Sequence, residues 1–245
     1  MKAVEYERMF QAEENQWWYA GMRAISFSLL GRPEQPGTSR FLDAGCGTGN
    51  MLVHLGGRGK AVGVDLAEEA LRFCRTRGVA VARAGLLELP FRDEAFDCVT
   101  SFDVLYHRWV TDELAATREM SRVLRPGGLL LVRVPALQLL RGAHDEAVFG
   151  RRRYTRRQLS GILEGAGLEV LRATYANAFL FPLLLLRRGL DRVTGRAGSD
   201  VSFLPAFLER TFRRLLELEA WLLRRISLPL GTSLFALARR PERPL

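Results

Sequence analysis

Short apolar runs alternate with amphipathic segments along most of the chain. Phe41-Leu-Asp-Ala44, Ala61-Val-Gly-Val-Asp65, Val79-Ala-Val-Ala82, Phe96-Asp-Cys-Val-Thr-Ser-Phe102, Leu129-Leu-Leu-Val-Arg-Val134 and Leu168 to Tyr175 read as strands. Between them, residues 49–57, 67–77, 111–124 and 155–166 read as helices. Within 67–77, Ala70, Leu71 and Cys74 share one side. The helix over 111–124 stops at Arg125-Pro-Gly-Gly128, and the one over 155–166 opens on a Thr cap and closes on Gly167. Strands this apolar, separated by helices, predict a parallel sheet covered on both faces. The expected fold is α/β: a doubly wound, mostly parallel seven-stranded sheet with an N-terminal helical lid and a helical insertion before the last strand.

The flanks carry the lid and the insertion. Residues 5–30 read as helical and cluster Trp17, Trp18 and Tyr19, and Gly31-Arg-Pro-Glu-Gln-Pro-Gly37 is a linker of helix breakers. Leu204, Leu208, Phe212, Leu215, Leu222 and Ile226 recur at helical spacing over 203–226, and Thr232 to Arg239 reads as the final strand. The chain therefore divides into a cap (1–37), a core (38–176), an insertion (177–231) and a last strand with its tail (232–245). Sheets of this type bind ligands beyond the C-terminal ends of their strands. A parallel sixth strand ends at that edge, so the insertion is expected to begin beside the site.

Charge sharpens this division. Residues 1–150 hold 18 basic and 19 acidic side chains, whereas residues 151–245 hold 18 and 8. The basic excess lies in the C-terminal part, including Arg151-Arg-Arg-Tyr-Thr-Arg-Arg157, and suits an anionic partner or a plain arginine-rich surface. The insertion pairs apolar residues 179–186 with Arg187-Arg188, and its helix with Arg213-Arg214 and Arg224-Arg225. That composition suits contact with lipid through 177–226, a substrate lid or a homodimer contact. The longest apolar run, Phe179 to Leu186, is far short of the roughly 20 residues that span a bilayer. Cys46, Cys74 and Cys98 show no metal spacing and no disulfide framework, and the N-terminal residues lack a signal-peptide core. The expected location is the cytoplasm, peripheral at the inner face of the membrane where lipid is contacted.

The candidate chemistry starts at Asp43-Ala-Gly-Cys-Gly-Thr-Gly49. Glycines there permit a tight turn and close approach of a ligand, and the loop runs into a helix N-terminus with unpaired amides. Asp43 offers a carboxylate to a cationic amine. Asp65 ends the next strand, where nucleotide-binding α/β domains accept from ribose hydroxyls. A dinucleotide loop needs G-x-G-x-x-G; here the spacing is G-x-G-x-G, and Asn50 stands at the third glycine's place.

This loop resembles the first motif of class I S-adenosylmethionine-dependent methyltransferases. The resemblance continues, in order, through Gly63-Val-Asp-Leu-Ala67, Leu89-Pro-Phe-Arg-Asp-Glu-Ala-Phe-Asp97, Phe102-Asp-Val-Leu-Tyr-His107 and Leu124-Arg-Pro-Gly-Gly-Leu-Leu-Leu-Val132, covering about residues 38–135. It implies S-adenosylmethionine as cofactor. The implied roles place Gly45, Cys46, Gly47 and Gly49 against its amino-acid part and Asp43 on its ammonium. Asp65 falls to the ribose, Leu66, Leu86 and Leu87 to the adenine, and Phe102 beside the methionine portion. The family often has Asp before the adenine-lining residues; this chain has Gly85.

The acceptor is less legible. His107, after the fourth strand, and His144, beside Asp145, are the candidate bases for a hydroxyl acceptor. Tyr19, Arg23 and Tyr106 are candidate substrate contacts. The expected activity is methyl transfer to an oxygen or nitrogen of a small molecule: a glycan, lipid-linked compound or secondary metabolite. The alternatives are an RNA or other nucleic-acid methyltransferase and a non-catalytic cofactor-binding protein. Nucleic acid is not the expected partner: the Asn/Asp-Pro-Pro-aromatic motif of amino-directed nucleic-acid enzymes is replaced by Ser101-Phe-Asp-Val104, and no RNA-binding module accompanies it.

Overall fold

The computed structural model describes residues 3–32, 37–186 and 205–242. Its strands are β1 (Arg40–Ala44), β2 (Lys60–Asp65), β3 (Val81–Arg83), β4 (Phe96–Phe102), β5 (Leu124–Pro135), β6 (Glu169–Ala176) and β7 (Ser233–Arg239). They lie in the order β3-β2-β1-β4-β5-β7-β6. β1 to β5 pair in parallel, and β7 runs antiparallel between β5 and β6. The expected doubly wound, mostly parallel seven-stranded sheet is present. Its winding reverses at β1, which pairs with β2 on one side and β4 on the other, so the crevice opens beyond these strands.

Helices cover both faces, as the apolar strands require. They are α1 (Ala3–Ala12), α2 (Trp17–Leu30), α3 (Asn50–Gly56), α4 (Glu68–Thr76), α5 (Glu113–Val123), α6 (Ala143–Ala147), α7 (Arg156–Gly165), α8 (181–186 among the described residues) and α9 (Ala206–Leu222). Side chains alternate across β5 and β7. Leu130, Leu234 and Ala236 join one core with Met120 and Leu163, while Leu131 and Phe235 join the other with Met22, Ile25 and Leu216. The expected cap over 155–166 is a full capping box, Thr155 and Gln158 each satisfying the other's backbone N–H.

Three local expectations change. The helix expected over 5–30 is two helices, broken at the polar run Glu13-Glu-Asn-Gln16; the break turns Glu13 inward to Thr48 and Arg77. Strand β5 begins at Leu124, not Leu129. The Arg125-Pro-Gly-Gly128 turn is taken up as a register shift opposite Phe96 and Cys98.

The third change is the face of α9. Its buried line is Leu216, Glu219 and Ala220, continued by Leu223 after the helix. Leu208, Phe212, Leu215 and Leu222 are half-buried, Ile226 is exposed, and Leu204 lies outside the described residues. Packing on α2 sets this rotation. A Cβ at Gly21 would stand 2.2 Å from Leu216 Cδ1, so the two helices meet there as closely as backbone permits. No helix among the described residues is long and apolar enough to cross a membrane.

Candidate active site

The site begins where β1 ends. Gly45 has φ +85°, and a Cβ there would stand 2.3 Å from Val104 Cγ2, so a left-handed turn and a close neighbour both require glycine. The amides of Gly45 and Cys46 donate to the Val64 carbonyl of β2. Asp65, at the end of β2, accepts from Gly47 N and Ala67 N, each at 2.9 Å. The glycine loop and the second acid are thus one hydrogen-bonded unit. Asp43 is 2% exposed, and Thr100 donates to its Oδ1 at 2.7 Å. Burial pushes its pKa up to about 7, with the Asp65 charge adding to the rise, and the Thr100 bond does not undo it. Burial also raises Asp65 against its backbone donors. Two desolvated carboxyls side by side are a place where an incoming cation and hydroxyl donors are stabilised.

A cavity of about 630 Å³ opens beyond these strand ends, bordered by Asp43, Gly45, Gly47, Asp65, Leu66 and Leu86, with Cys46 and Phe102 alongside. That volume falls within the roughly 300–1,000 Å³ range of small-molecule sites. The donor set fits the expected cofactor: a buried acid for an ammonium, a second acid with adjoining amides for a ribose, and apolar walls for a base. Two expected residues lie outside this lining. Gly49 caps α3 and packs near Cys74 and Val79, one turn past the loop, and Leu87 is exposed next to Leu86. The Cys46 thiol turns into a core cluster with Leu52 and lies 3.9 Å from Cys74 Sγ.

The far end of the cavity is aromatic. Tyr19, Arg23 and Tyr106 all border it, as do Trp18 and Trp109. Arg23 donates to Asn50 Oδ1 at 3.0 Å. Burial pushes both phenols, Tyr19 and Tyr106, upward, so they remain protonated donors. His107 stacks on Tyr106 with ring centroids 4.7 Å apart. Burial lowers its pKa to about 4, and its buried Nδ1 has no hydrogen-bond partner. The ring is therefore neutral at physiological pH. The side chain of His144, in α6, lies outside the described residues. The neighbouring Asp145 is committed elsewhere: Arg153 donates to both its oxygens at 2.9 and 3.1 Å, and Gly142 N donates at 2.8 Å.

Sequence reasoning missed Arg133 and Glu13. Arg133 projects from β5 into the cavity wall, where its Nε donates to Asp103 Oδ2 at 2.8 Å. Its guanidinium lies 4.9 Å from the Trp18 ring and 5.2 Å from the Phe102 ring. The signal was present: a lone charge inside the apolar run Leu129–Val134. Glu13 also borders the cavity, and burial raises its pKa to about 7 despite Thr48 and Arg77 beside it. Asn177, the first residue past β6, lines the cavity together with Thr232 and Ser233. The insertion does begin beside the site.

Comparison with known proteins identifies the family. Residues 42–132 match the family described as methyltransferase domain. The chain is 38% identical over 172 residues to a demethylmenaquinone methyltransferase of Roseiflexus castenholzii, covering 66% of this chain and 68% of that protein. The chain belongs to the S-adenosylmethionine-dependent methyltransferases. Its cofactor is S-adenosylmethionine. This methyltransferase is also 37% identical over 106 residues to the mouse (Mus musculus) protein named probable tRNA methyltransferase 9B, covering 43% of the chain and only 23% of that relative's length. Among solved structures, phosphoethanolamine N-methyltransferase 2 of Haemonchus contortus, in complex with S-adenosylhomocysteine and phosphomonomethylethanolamine, superposes with a TM-score of 0.66. At 18% identity, that match covers 99% of this chain and 59% of that one, and supports the fold alone.

Proposed function

We propose that this methyltransferase alkylates an oxygen or nitrogen of an uncharged, amphiphilic small molecule of lipid-linked or secondary-metabolite type. One observation carries the reading. At the acceptor end of the cavity, Arg133 and Arg153 are each neutralised by an aspartate, Arg23 is held by Asn50 Oδ1 and the Glu13 carbonyl, the nearby His107 is uncharged, and much of the remaining wall is aromatic. A free anionic acceptor would meet one cation here, Arg23, that is not already paired with a carboxylate, whereas a flat apolar body with one polar handle would be covered by the aromatic wall.

Bound S-adenosylmethionine supplies an activated methyl group on its sulfonium. The chain's own residues then have separate tasks. Asp43 holds the ammonium, Asp65 the ribose hydroxyls, and Leu66 and Leu86 the adenine, while Phe102 excludes water beside the methionine portion. Tyr19 and Tyr106 donate hydrogen bonds to the acceptor's polar handle. The acceptor's lone pair would take the methyl carbon as its bond to the sulfonium sulfur breaks and S-adenosylhomocysteine leaves, and the acceptor's proton would pass to the neutral His107 ring. His107 is the stronger candidate base, because the Asp145 carboxylate that would orient His144 is held by Arg153. Much of the acceleration then comes from alignment and the exclusion of water. We place the protein in the cytoplasm, with the described parts of 1–37 and 177–231 packed on the core.

The test uses methyl-labelled cofactor and fractionated cell extract. Label is expected in the organic-soluble fraction, and His107→Gln should lower kcat by about tenfold or more with KM for the cofactor unchanged. Label found in RNA instead would overturn the acceptor class.

A further inference from the structure

The outward face of α9 is used by nothing described so far. Helical spacing brings Phe207, Arg210, Arg214, Leu218, Trp221 and Arg225 into one stripe, opposite the buried Leu216, Glu219 and Ala220. All six are exposed; Phe207 is 62% and Trp221 49% accessible. Three large apolar groups and three guanidinium groups thus share a single line. Arg225 stacks on Trp221 at 5.4 Å.

A second feature adjoins this stripe. A cleft of about 670 Å³ lies between α2 and α9, bordered by Phe27, Ser28, Arg32, Arg58, Trp221 and Arg224. Three arginines border it against one acid, Glu217, which already receives Arg213 at 2.9 Å. The buried Ser28 hydroxyl beside them has no hydrogen-bond partner. The cleft therefore offers positive charge next to a line of apolar side chains.

We propose that this face docks on an anionic phospholipid surface, with a headgroup phosphate in the cleft and Phe207, Leu218 and Trp221 in the interface. Arginines interleaved with bulky apolar residues suit that boundary, because their stems lie along acyl chains while their charges reach the headgroups. A second copy of the chain suits it less, since facing arginine rows would repel. RNA suits it less too, since the leucine and phenylalanine would stay in water. The placement also has a use. The fully buried Glu219, on the inner side of the same helix, accepts from the amides of Asn177, Ala178 and Phe179. Asn177 borders the active-site cavity, so one helix carries both the docking face and the rim of the acceptor chamber. The proposal does not depend on the acceptor's identity.

The test is flotation of the full chain with phosphatidylcholine vesicles, with and without about 30% phosphatidylglycerol. Anionic vesicles are expected to bind at least about tenfold more protein, less so at high salt, with a blue shift in tryptophan emission. Trp221→Phe should keep binding but lose most of that shift. The double variant R214E/R224E should lose about tenfold in vesicle affinity while binding S-adenosylhomocysteine normally, which separates docking from folding and from cofactor binding. Equal binding to both vesicle types, or by both proteins, overturns the proposal. So does a lipid-free dimer that Trp221→Ser dissociates, or an RNA that binds through Arg214 and Arg224 more tightly than anionic vesicles do.

Discussion

The two ends of the active-site cavity are built by different means. The proposed cofactor end is built around backbone turns and two acids within 23 consecutive residues, Asp43 to Asp65, tied together by amides of the same loops. The proposed acceptor end is assembled from side chains of α2, the β4–β5 region and the residues beyond β6, and its Arg133 and Arg153 are each cancelled by an aspartate. The first end is designed around positive charge and hydrogen-bond donors arriving from outside. The second has already satisfied itself, and offers enclosure instead of charge.

This contrast can be broken by experiment. The largest effect is expected at Asp43. Asp43→Asn removes the buried anion and should weaken cofactor binding by about 100-fold, or ~3 kcal/mol, with little loss of thermal stability. Calorimetry with S-adenosylhomocysteine measures it. At the other end, Arg133→Met strands Asp103 and should cost ~2 kcal/mol of stability in a denaturant melt while leaving cofactor affinity within about threefold. If both variants lost the same function, the two ends would not be separable.

Protonation gives a third test. The folded protein raises Asp43 from 3.8 to about 7, so without ligand it keeps a proton that the unfolded chain sheds. Asp43 is therefore expected to make the ligand-free protein less stable as pH rises from about 4 to about 7, and Asp43→Asn should remove that part of the pH dependence, leaving the parts of the same sign from Glu13, Asp65 and Glu219 and the opposing one from His107. If Asp43 holds the ammonium as proposed, binding needs its ionised carboxylate, so affinity should drop about tenfold per pH unit below pH about 7, with proton release on binding near neutrality. The smallest effect is a gain. A Cβ at Gly85 meets only Leu66 Cδ1, at 4.0 Å. Gly85→Asp therefore fits, and by supplying an acceptor near the adenine it should tighten cofactor binding by roughly fivefold, about 1 kcal/mol.

The same contrast explains what was legible in the sequence. The alternation of strands and helices, the glycine loop, Asp43 and Asp65 follow from contiguous patterns, because each depends on neighbours a few residues away. The break before α2 was hidden in an amphipathic stretch, since Glu13 turns inward only to meet Thr48 and Arg77, more than 30 residues distant. The buried line of α9 depends on the absence of a side chain at Gly21, nearly 200 residues earlier. Arg133 shows the limit from the other side: its oddity inside β5 was visible, but its partner Asp103 and the ring of Trp18 were not. Gly49 and Leu87 are near misses, each one residue or one turn from the lining.

Strand β7 is bonded on both sides, yet it follows both of its partners in the chain. During synthesis β5 and β6 must therefore wait with unpaired edges while more than 50 further residues emerge. Such edges invite pairing with other chains. The nascent protein thus passes through a vulnerable interval that ends only when this closing strand slots home, and changes within 233–239 should show up first as poor yield, ahead of any loss of turnover.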